Sequence, residues 1–372
     1  MNEENSGDPI GRLQELVLQG RPAARASLSA VRDARAAGPG PETEALRTAY
    51  LDLLKLCLCD LAATTTMSVG PLPGGGAASR VLSGDQLRLR AAGMDWPLQG
   101  LTMTGLPRLD DLQSCVEAVV RDGVEGDLIE AGAWRGGASI LMRATLDGLG
   151  AADRTVWVAD SFAGFPKAQA EDKDLSGHDF LAVPLEEVKG NFARLGCEQG
   201  VRFVPGFFEE TLPGLSDGRW AVVRLDGDTY EATWTALQFL YPGLSAGGYL
   251  IVDDYGALEE CGRAVDEFRS HNGITEPLEE VDWTCKRWRR ESRAPIEAPP
   301  PSAVPPAGDG SAPPNAVERS QGRGIPTVRE LQLTRELAEL RERLAAAEAE
   351  VGRLRSSPVR AAAARLRRAR KG

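Results

Sequence analysis

Between residues 108 and 290, short apolar runs alternate with stretches whose apolar residues recur every three to four positions. The first rhythm is that of buried strands and the second that of amphipathic helices. Leu109 to Arg121, Ser139 to Leu149, Leu185 to Leu195 and Glu259 to Ser270 predict helices. Gly126 to Gly132, Thr155 to Asp160, Val201 to Val204, residues 219–225 and residues 248–252 predict strands, with a last strand over Trp283 to Arg289. Strands spaced by helices predict a mostly parallel, doubly wound α/β sheet.

Outside this block the pattern changes. Thr43 to Leu61 predicts an amphipathic helix, with Leu46, Tyr50, Leu53, Leu54, Cys57 and Leu61 on one side. Residues 70–82 are rich in Gly, Pro and Ala and predict a loop. After Arg290 the chain becomes rich in Pro, Ala and Ser, the composition of a disordered or polyproline linker. Leu333, Leu337, Leu340, Leu344, Ala347, Val351 and Leu354 then follow a heptad spacing, which predicts a short coiled coil or a single solvated helix. The expected organisation is a variable leader (1–42), an N-terminal helical cap (43–102), the α/β domain (103–292), a linker (293–326), and a coiled-coil helix with a basic tail (327–372).

Composition narrows the function classes. The 372 residues suffice for one large domain or two ordinary ones, and 42% hydrophobic content supports a sizeable core. A net charge of −11 argues against a general nucleic-acid binder. Six scattered cysteines without CxxC pairs read as reduced thiols of a cytoplasmic protein. With only His178 and His271 available, a zinc site is not expected. The polar start lacks the apolar stretch of a signal peptide, and no run approaches the roughly 20 residues that span a bilayer. The basic tail, Arg360 to Lys371, reads either as a solvated end or as a contact for an acidic partner. His271 reads as a residue near a helix C-cap rather than a catalytic one, His178 as part of an acidic surface loop or as facing the substrate, and Trp283 and Trp288 as an edge strand packed on the sheet rather than a sugar platform.

Acids gather where strands end. The run Val222 to Leu225 finishes in Asp226-Gly227-Asp228, and Tyr249 to Val252 finishes in Asp253-Asp254. Adjacent parallel strands would bring these carboxylates into one crevice, where their mutual repulsion calls for a divalent cation such as Mg²⁺. Glu130-Ala131-Gly132-Ala133-Trp134-Arg135-Gly136-Gly137 breaks a strand into a Gly-rich turn that opens a helix. Such turns let a ligand approach the backbone. Asp160, at the end of the next strand, is placed to accept from ribose hydroxyls or to cap the following turn with Ser161. No Walker lysine is present, so a cofactor without phosphates, such as S-adenosylmethionine, fits better than NAD.

Several linked segments resemble the macrocin O-methyltransferase family, the metal-dependent sugar O-methyltransferases of antibiotic biosynthesis. They are residues 103–143, Asp160 to Pro166, Val188 to Phe192, Glu210 to Pro213, Leu225 to Tyr230 and Asp253 to Gly256. The resemblance spans roughly residues 44–290, in the family's order and spacing. It implies a class I methyltransferase fold (Rossmann-like, doubly wound) that binds S-adenosylmethionine and Mg²⁺. It further implies that Asp226, Asp253 and Asp254 hold the metal and that Asp228 is the general base, with Asp226 also in the catalytic set. Glu130, Gly132, Trp134, Arg135, Gly136, Gly137, Asp160 and Ser161 match the cofactor-binding turn and ribose contact. Met103 and Thr104 match a segment near the cofactor's amino-acid end, although Met103-Thr104-Gly105 departs from the more usual Met-Ile-Gly.

The expected reaction is methyl transfer to a sugar hydroxyl of a glycosylated metabolite or glycan. Vicinal hydroxyls on Mg²⁺ become more acidic, and in-line placement dominates transfer from a sulfonium. A non-sugar vicinal diol, or a catalytically silent S-adenosylmethionine-binding module assembled by the coiled coil, are the alternatives. Homo-oligomerisation is expected, with no clear nucleic-acid or membrane partner.

Overall fold

The computed structural model describes residues 41–71, 77–165 and 181–291. The leader, the linker, the heptad segment, the basic tail and His178 lie outside the described residues. In chain order the elements begin with α1 (Pro41–Leu58), β1 (Met67–Pro71), β2 (Ala77–Val81), α2 (Asp85–Ala91) and α3 (Leu106–Arg121). There follow β3 (Asp127–Ala131), α4 (Gly137–Leu149), β4 (Val156–Asp160), α5 (Leu185–Arg194), β5 (Val201–Pro205) and α6 (Phe208–Thr211). The last are β6 (Trp220–Leu225), α7 (Tyr230–Leu240), β7 (Leu244–Val252), α8 (Glu259–His271), β8 (Glu279–Glu280) and β9 (Lys286–Arg289).

Seven strands form one sheet in the order β5-β4-β3-β6-β7-β9-β8. The pairs from β5 to β7 are parallel, and β9 runs antiparallel between β7 and β8. The chain starts in the middle at β3, moves outward to β5, and returns to lay β6 beside β3. Strand order therefore reverses between β3 and β6, and ligands of open α/β sheets bind outside the carboxyl ends of the strands at such a point.

Alternating side chains send the sheet into two cores, as strand pleating requires. Leu128, Val156, Val158, Val222 and Ile251 face a core shared with α1, α3, α4 and α5. Ile129, Val223, Leu225, Leu250 and Val252 face the other, packed by Trp234 and Leu237 of α7 and Val265 and Phe268 of α8. β6 is buried along its whole length, including Arg224. All six cysteines are unpaired, and five of them are buried.

Three expectations need correction. Residues 70–82 are not simply a loop: β1 and β2 pair antiparallel from Met67↔Val81 to Pro71↔Ala77, so the Gly/Pro-rich stretch joins two strands. The last strand is shorter than expected, because Asp282 receives the backbone N–H groups of Thr284 and Cys285 and holds a turn before β9. Trp288 is fully buried in the sheet core, but Trp283 lies on a cavity wall with its indole N–H donating to the carbonyl of Ala92 at 3.1 Å. His271 does end α8, at the C-terminal turn. Helix α7 was not predicted; Thr229 caps it by accepting the N–H of Ala232 at 3.1 Å.

Candidate active site

A cavity of about 760 Å³ opens at the carboxyl ends of β3, β4, β6 and β7. Its walls include Met94 and Trp96 from the segment after α2, Phe208 at the start of α6, and Trp283 before β9.

At one end is the turn between β3 and α4. Glu130, Gly132, Ala133 and Trp134 line the cavity together with Met103, Thr104, Asp160 and Ser161. Gly132 has φ +91°, and a Cβ there would lie 1.8 Å from the carbonyl oxygen of Asp226. The turn is thus pressed against the end of β6, which only glycine permits. Asp160 Oδ2 accepts the N–H groups of Ala133 (2.8 Å) and Trp134 (3.1 Å), and Oδ1 accepts that of Phe162 (2.7 Å). The acid therefore braces the turn while lining the cavity.

Arg135, Gly136 and Gly137 do not share that lining. The Arg135 guanidinium donates to the carbonyls of Pro97, Leu98 and Gly100 at 2.9–3.2 Å, tying the preceding loop to the turn. Gly136 and Gly137 serve close packing: a Cβ would meet Phe192 at the first and the carbonyl of Leu101 at the second.

At the other end are the acids. Asp226, Asp228 and Asp254 each offer a carboxylate oxygen, and these lie within 4.8 Å of one another. Asp253, expected beside them, is instead taken by two guanidinia. Arg108 donates to its Oδ2 and Arg224 to its Oδ1. Asp228 sits at φ +61°, a left-handed conformation that aspartate tolerates better than most residues.

The register explains Arg224. It lies directly across from Glu130 on β3, and two residues before Asp226 on the same face of β6. Its Nη1 donates to Glu130 Oε1 (2.6 Å) and Asp226 Oδ2 (2.8 Å), while Nη2 reaches Thr104 Oγ1 (3.0 Å) and Asp253. Arg108, near the start of α3, also pairs with Asp282 at 3.1 Å. Neither arginine was singled out from the sequence. The available signal was a charged residue within the apolar run Val222-Val223-Arg224-Leu225, since a buried charge demands partners.

Four carboxylates (Glu130, Asp226, Asp253 and Asp282) contact these two guanidinia, and Asp228 and Asp254 lie beside Asp226, a formal excess of four negative charges. The pKa shifts record the strain. Burial pushes Glu130 up to about 7, against the pull of Arg224 and a hydrogen bond from Ser139. Burial, then the charges of Asp228, Asp226 and Asp253, push Asp254 well above the usual carboxylate range. Asp254 Oδ2 is buried with no hydrogen-bond partner among the described residues. An all-oxygen set with an orphaned buried oxygen and excess negative charge fits a hard divalent cation.

The sheet order, the glycine turn and the acid-lined crevice at the switch point define a Rossmann-like methyltransferase. The sequence profile of the macrocin-O-methyltransferase (TylF) family matches residues 76–290, and the chain belongs to that family. It is an S-adenosylmethionine-dependent O-methyltransferase. The chain is 48% identical over 259 residues to the 8-demethyl-8-(2,3-dimethoxy-alpha-L-rhamnosyl)-tetracenomycin-C 4'-O-methyltransferase of Streptomyces olivaceus, covering 66% of this chain and 94% of that one. It is 44% identical over 213 residues to the mycinamicin III 3''-O-methyltransferase of Micromonospora griseorubida, covering 55% and 84%. The solved structure of the O-methyltransferase NovP matches with a TM-score of 0.58 at 39% identity, over 66% of this chain and all of that one.

Proposed function

We propose that the chain methylates a sugar hydroxyl of a glycosylated small molecule beside a divalent cation, Mg²⁺ in the ordinary case. One observation carries the reading: the acid trio at the ends of β6 and β7 opens into the same cavity as the Glu130–Trp134 turn. The names of the relatives from Streptomyces olivaceus and Micromonospora griseorubida support a glycoside as the acceptor. Aromatic walls at Trp96, Phe208 and Trp283 suit the apolar faces of a sugar and its aglycone.

Glu130 and Thr104 would receive the amino-acid end of S-adenosylmethionine, Gly132 and Trp134 its body, and Asp160 with Ser161 its ribose. Arg135, Gly136 and Gly137 hold the turn in shape. Asp226 and Asp254 would hold the cation, with Asp228 beside it; Asp253 stays with Arg108 and Arg224. When bound, the cation acidifies the attacking hydroxyl and fixes its direction. Asp228, beside the two acids that would hold the cation and on the cavity wall, would take the hydroxyl proton. S-adenosylmethionine would supply the methyl carbon to the hydroxyl oxygen, its carbon–sulfur bond giving way to leave a neutral thioether. A dication and the donor's sulfonium would reduce the site's formal excess from four negative charges to one.

The test is incubation with S-adenosylmethionine and a panel of glycosides beside their free aglycones. Fragment masses should place the added methylene in the sugar. A methyl group found on the aglycone would sink the assignment.

A further inference from the structure

Arg224 contacts both halves of the site. Its Nη1 is shared between Glu130 at 2.6 Å and Asp226 at 2.8 Å, and its Nη2 between Thr104 at 3.0 Å and Asp253. Glu130 and Thr104 belong to the donor end, and Asp226 to the acid trio. The guanidinium is 2% exposed and sits in the central strand β6, so it can neither retreat to water nor be replaced by water. Asp253 is pinned from its other side by Arg108, which closes the network against α3.

We infer that Arg224 is a positioning residue that couples cofactor binding to cation binding. The inference rests on the proposed placement of cofactor and cation. Either ligand takes up one of the two carboxylates that share Nη1, and so leaves that donor to hold the other. The second ligand then meets a carboxylate that no longer competes for its donor, which gives positive linkage without a large movement. Linkage is reciprocal, so each ligand strengthens the other by the same factor. Lysine cannot substitute, because a single ammonium lacks the planar fork that reaches four acceptors at the ends of three strands and in a loop.

Calorimetry on the full-length chain tests this with S-adenosylhomocysteine and Mg²⁺ as probes. Each is titrated alone and with the other saturating. In the unmodified chain, saturating Mg²⁺ should tighten S-adenosylhomocysteine at least about fivefold, and the reverse titration should give the same factor. In Arg224→Lys the factor should fall below about twofold. Thr104→Val, which removes one acceptor of Nη2 and no charge, should reduce it partway and serves where Arg224→Lys fails to fold. A stability defect alone would weaken both ligands and leave the factor unchanged. Binding of both ligands without linkage in the unmodified chain, or linkage that survives both substitutions, overturns the inference and leaves the proposed function standing. Cofactor binding with no Mg²⁺ binding at all overturns the cation reading and this inference with it.

Discussion

Glu130 is an acid held where charge is poorly solvated, opposite one arginine that it shares with Asp226 and Asp253. Its folded pKa is raised, from 4.5 to about 7. The sign follows: the contribution to stability is fully present below pH 4.5 and is lost as pH rises through about 7. That interval is worth up to about 3 kcal/mol. Without cofactor, the melting temperature should fall between about pH 5 and about pH 7.5, and Glu130→Gln should flatten this slope in thermal melts. An equal slope in the variant would remove Glu130 from the explanation. Asp228 and Asp226 should separate by what each loses. Asp228→Asn should lower kcat by roughly 10²–10⁴ while Mg²⁺ binding survives, as for a lost base. Asp226→Asn should lose the Mg²⁺ heat itself. The strand-end acids were legible in the sequence because an apolar run that stops in carboxylates is conspicuous. That Asp253 belongs to arginines was not, because α3 and β6 meet only in the folded chain.

At the scale of elements, the site depends on how closely β3 and β6 end together. Gly132→Ala would drive a Cβ to 1.8 Å from the Asp226 carbonyl and would also strain a φ of +91°. It should cost at least about 2 kcal/mol and abolish S-adenosylhomocysteine binding, read by melts and calorimetry. Retained binding at native stability would mean the turn is not held as described. Parallel strands were legible because burial on both faces makes them continuous apolar runs. The β1–β2 hairpin was not, since its Gly/Pro-rich middle outweighed the short strands on either side. Helix α7 was hidden by its many β-branched and aromatic residues, and only the Thr229 cap marks its start.

The described residues of both cores and of the cavity lining fall within residues 41–291. A chain cut to this span should fold cooperatively and bind S-adenosylhomocysteine within about threefold of the full-length chain, less than 1 kcal/mol of binding free energy. No helix among the described residues is long and apolar enough to cross a membrane. The doubly wound fold was legible from alternating periodicities alone. The acceptor's identity was not, because the walls proposed for it are Trp96, Phe208 and Trp283, aromatics far apart in sequence with no shared motif. The most direct measurement is methyl transfer to a glycoside by enzyme stripped with EDTA, with Mg²⁺ then restored in steps, beside Asp254→Asn. The predicted result is no transfer in chelator, recovery that saturates with Mg²⁺, and no recovery in the variant. Undiminished transfer in excess chelator would contradict a cation held by these acids.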